Sequence, residues 1–253
     1  PPALYEPHAL AQQMARQADG AYDGTSGTRT ELWDAARAAQ HPPTAEEIAA
    51  AQSRVDWHAL ELRERAADDG EHPEVRLLRA GMKIDRGALI KGLALDGIAR
   101  SWAAGGAVNA LADLGSSSIL ACGVNAEGEP WRIGVRNPRG ESRSDLAATV
   151  QLSDAMLSAS GDDERYFLYE GRRYHHLVDP RTGDPAETGL ASVTVILPQD
   201  AMTGTMWAGH EGQLSDMLST AIFVMGAERG RSLLTDIPGA QLILIGTDGR
   251  VIE

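Results

Sequence analysis

Hydrophobic residues change their period at Gly105-Gly106, and that change most constrains the fold. Before it, Leu89, Leu93 and Ile98, joined by Ile90, Ala94 and Gly97, recur at helical spacing. They predict a helix from the loop at Asp85-Arg86-Gly87 to Trp102, stopped by the paired glycines. After it, short strand-like runs take over: Val108–Leu114, Ser118–Gly123, Trp131–Arg136 and Tyr166–Tyr169. Glu170-Gly171 reads as a hairpin turn into Arg172–Val178, and Leu190–Leu197 (LASVTVIL) is the strongest strand, rich in β-branched residues.

The flanks add mostly helix. Leu10–Ala18 is helical, followed by a glycine-containing loop over Asp19–Gly24. Thr44 and Glu47 form a capping box opening a helix over Ala45–Arg54. Asp68–Pro73 is a charged turn joining two short strands. Beyond the polar loop Gln199–Gln213 come an amphipathic helix, Leu214–Met225, and a second over Glu228–Leu234. The chain closes with a strand at Gln241–Ile245, the Asp248-Gly249 turn and a short last strand. Helices with largely antiparallel strands indicate an α+β protein of largely antiparallel sheets and packed helices. Its 253 residues fit one large or two-lobed domain.

Charge narrows the partners. Acidic residues outnumber basic ones, 36 to 23, and a formal charge of −13 repels nucleic-acid backbones. An anionic small molecule would need a local cation. The single Cys122 excludes an intramolecular disulfide and a thiolate metal cluster, and its strand-like neighbours read as those of a small buried residue. No apolar run reaches the roughly 20 residues of a membrane-spanning helix. The opening Pro1-Pro2-Ala3 lacks Met and a signal-peptide pattern, as expected of a processed or truncated start.

Three segments carry potential chemistry. On the helix over Leu214–Met225, Asp216 and Thr220 stand one turn apart, off the apolar stripe. A carboxylate and a hydroxyl so placed suit a hard cation such as Mg²⁺, although spacing alone favours an ordinary solvated helix face. In Tyr174–Gly183, a strand delivers His175 and His176 to a tight Asp179-Pro180 turn carrying Arg181 and Thr182. One histidine could act as acid, base or phosphate contact with Asp179 orienting the turn; a surface hairpin capped by Asp179 fits equally. Adjacent histidines are too close for the usual zinc geometry. Finally, Asp85–Gly92 places a glycine-containing loop at a helix start, where free N–H groups attract phosphate and Lys91 adds a charge; a plain helix start with a solvated lysine is the competing reading. The small-residue stretches Leu114–Ser118 and Ser158–Asp162 read as turns after strands.

Taken in order, these segments resemble the FAD:protein FMN transferase (ApbE-like) family over nearly the whole chain. GAYDGTSG (Gly20–Gly27) leads to Trp33, and DRGALIKGLALD (Asp85–Asp96) carries the lysine helix. DLGSSS, SASGDDERYF, HLVDPRTG (His176–Gly183) and SDMLSTAIFVMG (Ser215–Gly226) follow. The resemblance implies an ApbE-like, T-fold-like architecture in a single domain over 1–253, and transfer of FMN from FAD to a Thr or Ser hydroxyl with release of AMP. It implies Mg²⁺ held by Asp216, Thr220 and a backbone carbonyl near Ala88, with His176 and Asp179 as the catalytic pair. Lys91, Asp96, Gly115, Ser116, Ser160, Gly161, Asp162, Arg181, Thr182 and Gly183 are the matching FAD-pocket positions. The implied partner is a flavin-binding subunit or domain of a redox protein. The implied location is extracytoplasmic or periplasmic, in some members with a lipid anchor. Two departures stand out: Gly115-Ser116-Ser117 replaces a frequent Gly-Gly-Asp, and the family's N-terminal portion, which contributes to the FAD pocket, lies outside this chain. The alternatives are an FAD pyrophosphatase giving FMN and AMP, and a non-catalytic FAD-binding protein.

Overall fold

A computed structural model describes residues 2–63 and 73–252. In chain order the elements are α1 (Pro2–Gln17), α2 (Gly27–Ala39), α3 (Ala45–Gln52), a 3₁₀ turn (Trp57–Ala59), β1 (Leu60–Arg63), β2 (Glu74–Leu77), α4 (Ile90–Gly105), β3 (Ala110–Asp113), β4 (Ser118–Cys122) and β5 (Trp131–Arg136). There follow β6 (Leu146–Leu152), β7 (Ala155–Gly161), β8 (Tyr166–Tyr169), β9 (Arg172–His175), β10 (Leu190–Pro198), α5 (Glu211–Met225), α6 (Ala227–Ser232), β11 (Gln241–Gly246) and β12 (Val251–Ile252). Helices and antiparallel pairs make the chain α+β. It divides into two compact units, Pro1–Arg86 with Glu164–Ala186, and Gly87–Asp163 with Glu187–Glu253.

The second unit is built on a six-stranded antiparallel sheet, ordered β12-β11-β10-β7-β4-β3. Near-continuous apolar β10 lies inside it and is buried along almost its whole length, as two covered faces require. On one face Leu120 and Met156 meet Leu95, Ile98 and Trp102 of α4. On the other, Ile119, Leu157 and Ile196 meet Trp131, Ile133 and Val150 of the β5–β6 hairpin. α4 and α5 approach so closely that a Cβ on Gly92 would lie 2.3 Å from the Gly212 carbonyl oxygen. Only glycine fits there.

The first unit joins α2 to the β8–β9 hairpin. Trp33, Ala36, Phe167 and Val178 form a cluster with Ile48, Tyr169 and Tyr174 against it. Trp33 stacks on Tyr174 and donates from Nε1 to the Gly183 carbonyl at 2.9 Å, fixing the Asp179–Gly183 turn to α2. The Thr44–Glu47 capping box opens α3 as its sequence predicts. β1 and β2 pair antiparallel; apart from Pro73, the turn expected at Asp68–Pro73 lies outside the described residues.

Three sequence expectations change. Ser158–Gly161 is the end of an interior strand rather than a turn, because its serines bond to α5 and compensate for weak β-propensity. The polar side of α5 is not solvated: Ser215, Asp216 and Ser219 are buried along with the apolar stripe. Cys122 is half-buried and accepts from Gln199 Nε2 at 3.1 Å. Strand β6 and helix α2 carry no clear periodic signal and were not expected.

Candidate functional site

In the second unit, the starts of α4 and α5 and the end of β7 carry the expected cation ligands: Asp216 bonds the start of α4 through Gly92, and Thr220 meets Ser160 of β7. Asp216 is 3% exposed, and its Oδ2 accepts from Gly92 N–H at 3.1 Å. Among the described residues Oδ1 has no hydrogen-bond donor. Burial raises this carboxyl above its ordinary value; the charge of Lys91 and the Gly92 bond oppose the rise, and the charge of Asp96 adds to it. Because Gly92 turns its N–H to Asp216, the carbonyl of Ala88, four residues earlier, lacks the donor a continuing helix would supply.

Thr220 Oγ1 lies 3.1 Å from Ser160 Oγ, which in turn lies 2.8 Å from Ser219 Oγ. One turn earlier Ser158 and Ser215 pair at 2.9 Å. Ser215 gives its own proton to the Gly212 carbonyl and Ser219 gives its to the Asp216 carbonyl, so the β7 serines are the donors across the interface.

This set fits a hard cation. No group of three or more His, Cys, Asp or Glu among the described residues could hold a metal. An ion here would have one carboxylate, the Thr220 hydroxyl and the Ala88 carbonyl, all oxygens. Mg²⁺ bound through few protein ligands and completed by substrate oxygens suits such a donor set, and its charge would relieve the buried carboxylate.

The remaining expected residues of this unit take different places. Lys91 Nζ donates to Ser117 Oγ at 2.5 Å, tying α4 to the β3–β4 turn rather than pointing freely into water. Gly115 and Ser116 form that turn, both at positive φ (73° and 62°), and Ser116 N–H bonds Asp113 Oδ1 at 2.6 Å. Asp96 is 1% exposed and fully engaged, accepting from Gly212 N–H at 2.7 Å and from the Gln213 N–H and Nε2. It braces the N-terminus of α5, so its effect on a pocket is one of positioning. Asp162, just beyond Gly161, is held by both Nη atoms of Arg139 at 2.7 and 2.5 Å. Ser117 and Arg139 were not among the expected residues; Ser117 sits inside the DLGSSS signature, but nothing in sequence links Arg139 to Asp162.

In the first unit, β9 ends at His175, and His176 follows it directly. His175 is buried with Nε2 at 3.2 Å from the Ala186 carbonyl. His176 donates its backbone N–H to the Arg165 carbonyl at 3.0 Å, and its Nδ1 is buried without a partner. Burial, followed by the nearby charges of Arg165 and His175, lowers the His176 imidazole to about 3, so it is neutral at physiological pH. Asp85 acts in the opposite direction on it.

Asp179 is committed to its own turn. Oδ1 accepts from Arg181 N–H and Nε at 2.9 and 2.8 Å, and Oδ2 accepts from Nη2 at 2.7 Å. Burial pushes this carboxyl up, but the Arg181 bonds outweigh it and hold the group below its ordinary value. Such a carboxylate orients the turn; the geometry gives no support to a proton-transfer role. Thr182 Oγ1 accepts from Asp184 N–H, and Gly183 is buried at φ +85° under Trp33. Arg29, which carries no sequence signal, is 4% exposed, and its neighbouring charges are Asp23, Asp85 and Asp179.

The family model described as ApbE family matches residues 1–244. The chain is similar to the FAD:protein FMN transferase of Treponema pallidum, 32% identical over 257 residues that cover 98% of this chain and 67% of that protein. It is also similar to the protein of that name from Haemophilus influenzae, 29% identical, covering 95% of this chain and 65% of that one. Among solved structures, the ApbE protein of Thermotoga maritima superposes with a TM-score of 0.78 at 32% identity, over 99% of this chain and 75% of the other. The chain thus spans about two thirds of the length of these curated relatives.

Proposed function

The chain belongs to the ApbE family, and from that premise we propose that it transfers FMN from FAD to a Thr or Ser hydroxyl of a target flavoprotein in a Mg²⁺-dependent reaction. The acceptor oxygen forms a bond to the FMN phosphorus, and the bond from that phosphorus to the bridging oxygen breaks. AMP leaves with the bridging oxygen, and the hydroxyl proton passes to solvent. The partner is a flavin-binding subunit or domain of a redox protein, met outside the cytoplasm.

Asp216 carries the reading: a buried carboxylate of α5 with one uncommitted oxygen, bonded to the start of the lysine-bearing α4. Mg²⁺ held by Asp216, Thr220 and the Ala88 carbonyl would supply charge neutralisation and Lewis acidity toward the diphosphate. Lys91 adds a second positive charge, anchored by Ser117. Asp96 keeps the N-terminus of α5, and with it Asp216, in place. His176, neutral at physiological pH, could exchange a hydrogen bond with a hydroxyl or a phosphate oxygen through its imidazole.

The test incubates the protein with FAD and Mg²⁺, with and without candidate flavin-accepting domains, and follows AMP and acceptor mass. The expected result is an acceptor heavier by one FMN phosphoester with stoichiometric AMP. AMP with free FMN and no labelled acceptor would overturn transfer in favour of hydrolysis. Intact FAD throughout would overturn catalysis.

A further inference from the structure

The β8–β9 hairpin is a two-stranded sheet of its own, with register Tyr166↔His175, Phe167↔Tyr174, Leu168↔Arg173 and Tyr169↔Arg172. Glu170 and Gly171 both have positive φ (49° and 78°), the turn that makes Tyr169 and Arg172 a hydrogen-bonded pair. Pairs alternate from there, so Phe167 and Tyr174 bond each other while Leu168 and Tyr166 turn their N–H and C=O groups away from β9. The next step confirms this parity, since His176 N–H reaches the Arg165 carbonyl at 3.0 Å. Among the described residues the outward backbone groups of Tyr166 and Leu168 have no partner. Both residues are exposed, at 37% and 59%. The opposite face of the same strand is fixed in the core through Phe167, stacked on Tyr174 beneath Trp33.

This is an exposed, unpaired strand edge whose inner end, Arg165, accepts from the His176 N–H. Its charge runs against that of the chain. Between Arg165 and Tyr174 three arginines stand against one glutamate, in a protein of formal charge −13. Arg173 lies over the Tyr166 ring at 3.7 Å, on the face that carries Leu168.

We propose that the β8 edge is the docking rail for the acceptor protein, which adds an extended acidic segment as a third strand and is thereby led toward His176. The proposal rests on the transfer of FMN to a protein hydroxyl. Main-chain bonds to Tyr166 and Leu168 would supply affinity without demanding one sequence, and carboxylates on the incoming strand would meet Arg165 and Arg173.

Two synthetic peptides of about a dozen residues serve as probes, each with one Thr and a strand-forming sequence, one with Asp and Glu at alternate positions and the other with Lys there. Binding is read by fluorescence anisotropy, and FAD binding separately by flavin fluorescence. The acidic peptide is expected to bind at least about tenfold more tightly than the basic one. Leu168→Pro removes an outward N–H without touching a hairpin bond, and should weaken the acidic peptide by at least about tenfold while FAD binding stays within about twofold. Arg165→Glu, at an exposed residue, should shift preference toward the basic peptide. Equal affinity for the two peptides, or unchanged peptide binding in both variants, would overturn the proposal. Failure of the transferase reading shows elsewhere, as wild-type protein releasing no AMP from FAD and Mg²⁺, because the anisotropy measurement involves no chemistry.

Discussion

Replacing Asp216 by Asn should move metal-free stability and Mg²⁺ response in opposite directions. The amide keeps an acceptor for the Gly92 N–H and nearly the same volume, so packing around α5 is preserved. What it removes is a desolvated negative charge. Without metal at neutral pH, the variant should be as stable as wild type or more so, by roughly 1–3 kcal/mol, the cost that protein mutagenesis assigns to an uncompensated buried polar group. The pH dependence follows. Asp216's carboxyl is raised in the folded protein, so the fold holds this proton more tightly than the unfolded chain does. Metal-free wild type therefore loses stability as pH climbs from the ordinary value of 3.8 through the raised one, a loss the Asn variant lacks. With Mg²⁺ at a hundred times its dissociation constant, wild type gains about 2.7 kcal/mol. In a chain this size that is a rise of roughly 5–10 °C in melting temperature. Asp216→Asn should show almost none of that rise and should lose FMN transfer. Thermal melts with and without Mg²⁺ between pH 5 and 8 read both effects. An Asn variant that melts well below wild type without metal, or that keeps the full Mg²⁺ rise, would refute the reasoning.

Two more predictions concern the other anchors. His176 sits at about 3 in the fold against an ordinary 6.5, so its stabilising contribution is present above 6.5 and is lost as pH falls. By pH 5 the loss is about 2 kcal/mol. His176→Gln should flatten this acid limb in denaturant melts, and in wild type the ring should remain neutral by NMR at pH 5. Gly92→Ala drives a methyl against the Gly212 carbonyl and the Gln213 Cα, 2.6 Å away, and neither backbone atom can yield cheaply. We expect it to cost on the order of 3 kcal/mol, at the upper end of overpacking, and to weaken Mg²⁺ binding measured by calorimetry. A variant melting like wild type would show that the helices can part freely.

What the sequence made legible was what local chemistry encodes. The helix α4 with its glycine stop, the capping box of α3, the Glu170-Gly171 hairpin and the apolar β10 all rest on neighbours within a few residues. Asp216 and Thr220 were visible as a pair one turn apart, but the burial of Asp216 was not, because it depends on α4 lying against it, with the Gly92 N–H bonded to its carboxylate. The end of β7 reads as a turn because Ser158 and Ser160 have the composition of a loop, and only their partners on α5 make them strand residues. The full engagement of Asp162 by Arg139, 23 residues away, and of Asp96 by the start of α5, 116 residues away, lies beyond any pattern of spacing. Arg29 left no signal, since a lone arginine in a polar run reads as a surface residue.

The hydroxyl rungs between β7 and α5 have a mechanical consequence. A helix packed on a sheet through methyl groups alone can screw along its axis, exchanging one shallow contact for the next. Advancing α5 by one residue would turn it 100° and shift it 1.5 Å. That motion would break Ser158–Ser215 and Ser160–Ser219 together and strand buried hydroxyls. The rungs therefore act as a key in a keyway. They transmit the stiffness of a six-stranded sheet to one carboxylate, and a cation seated there would meet a frame already set before it arrived.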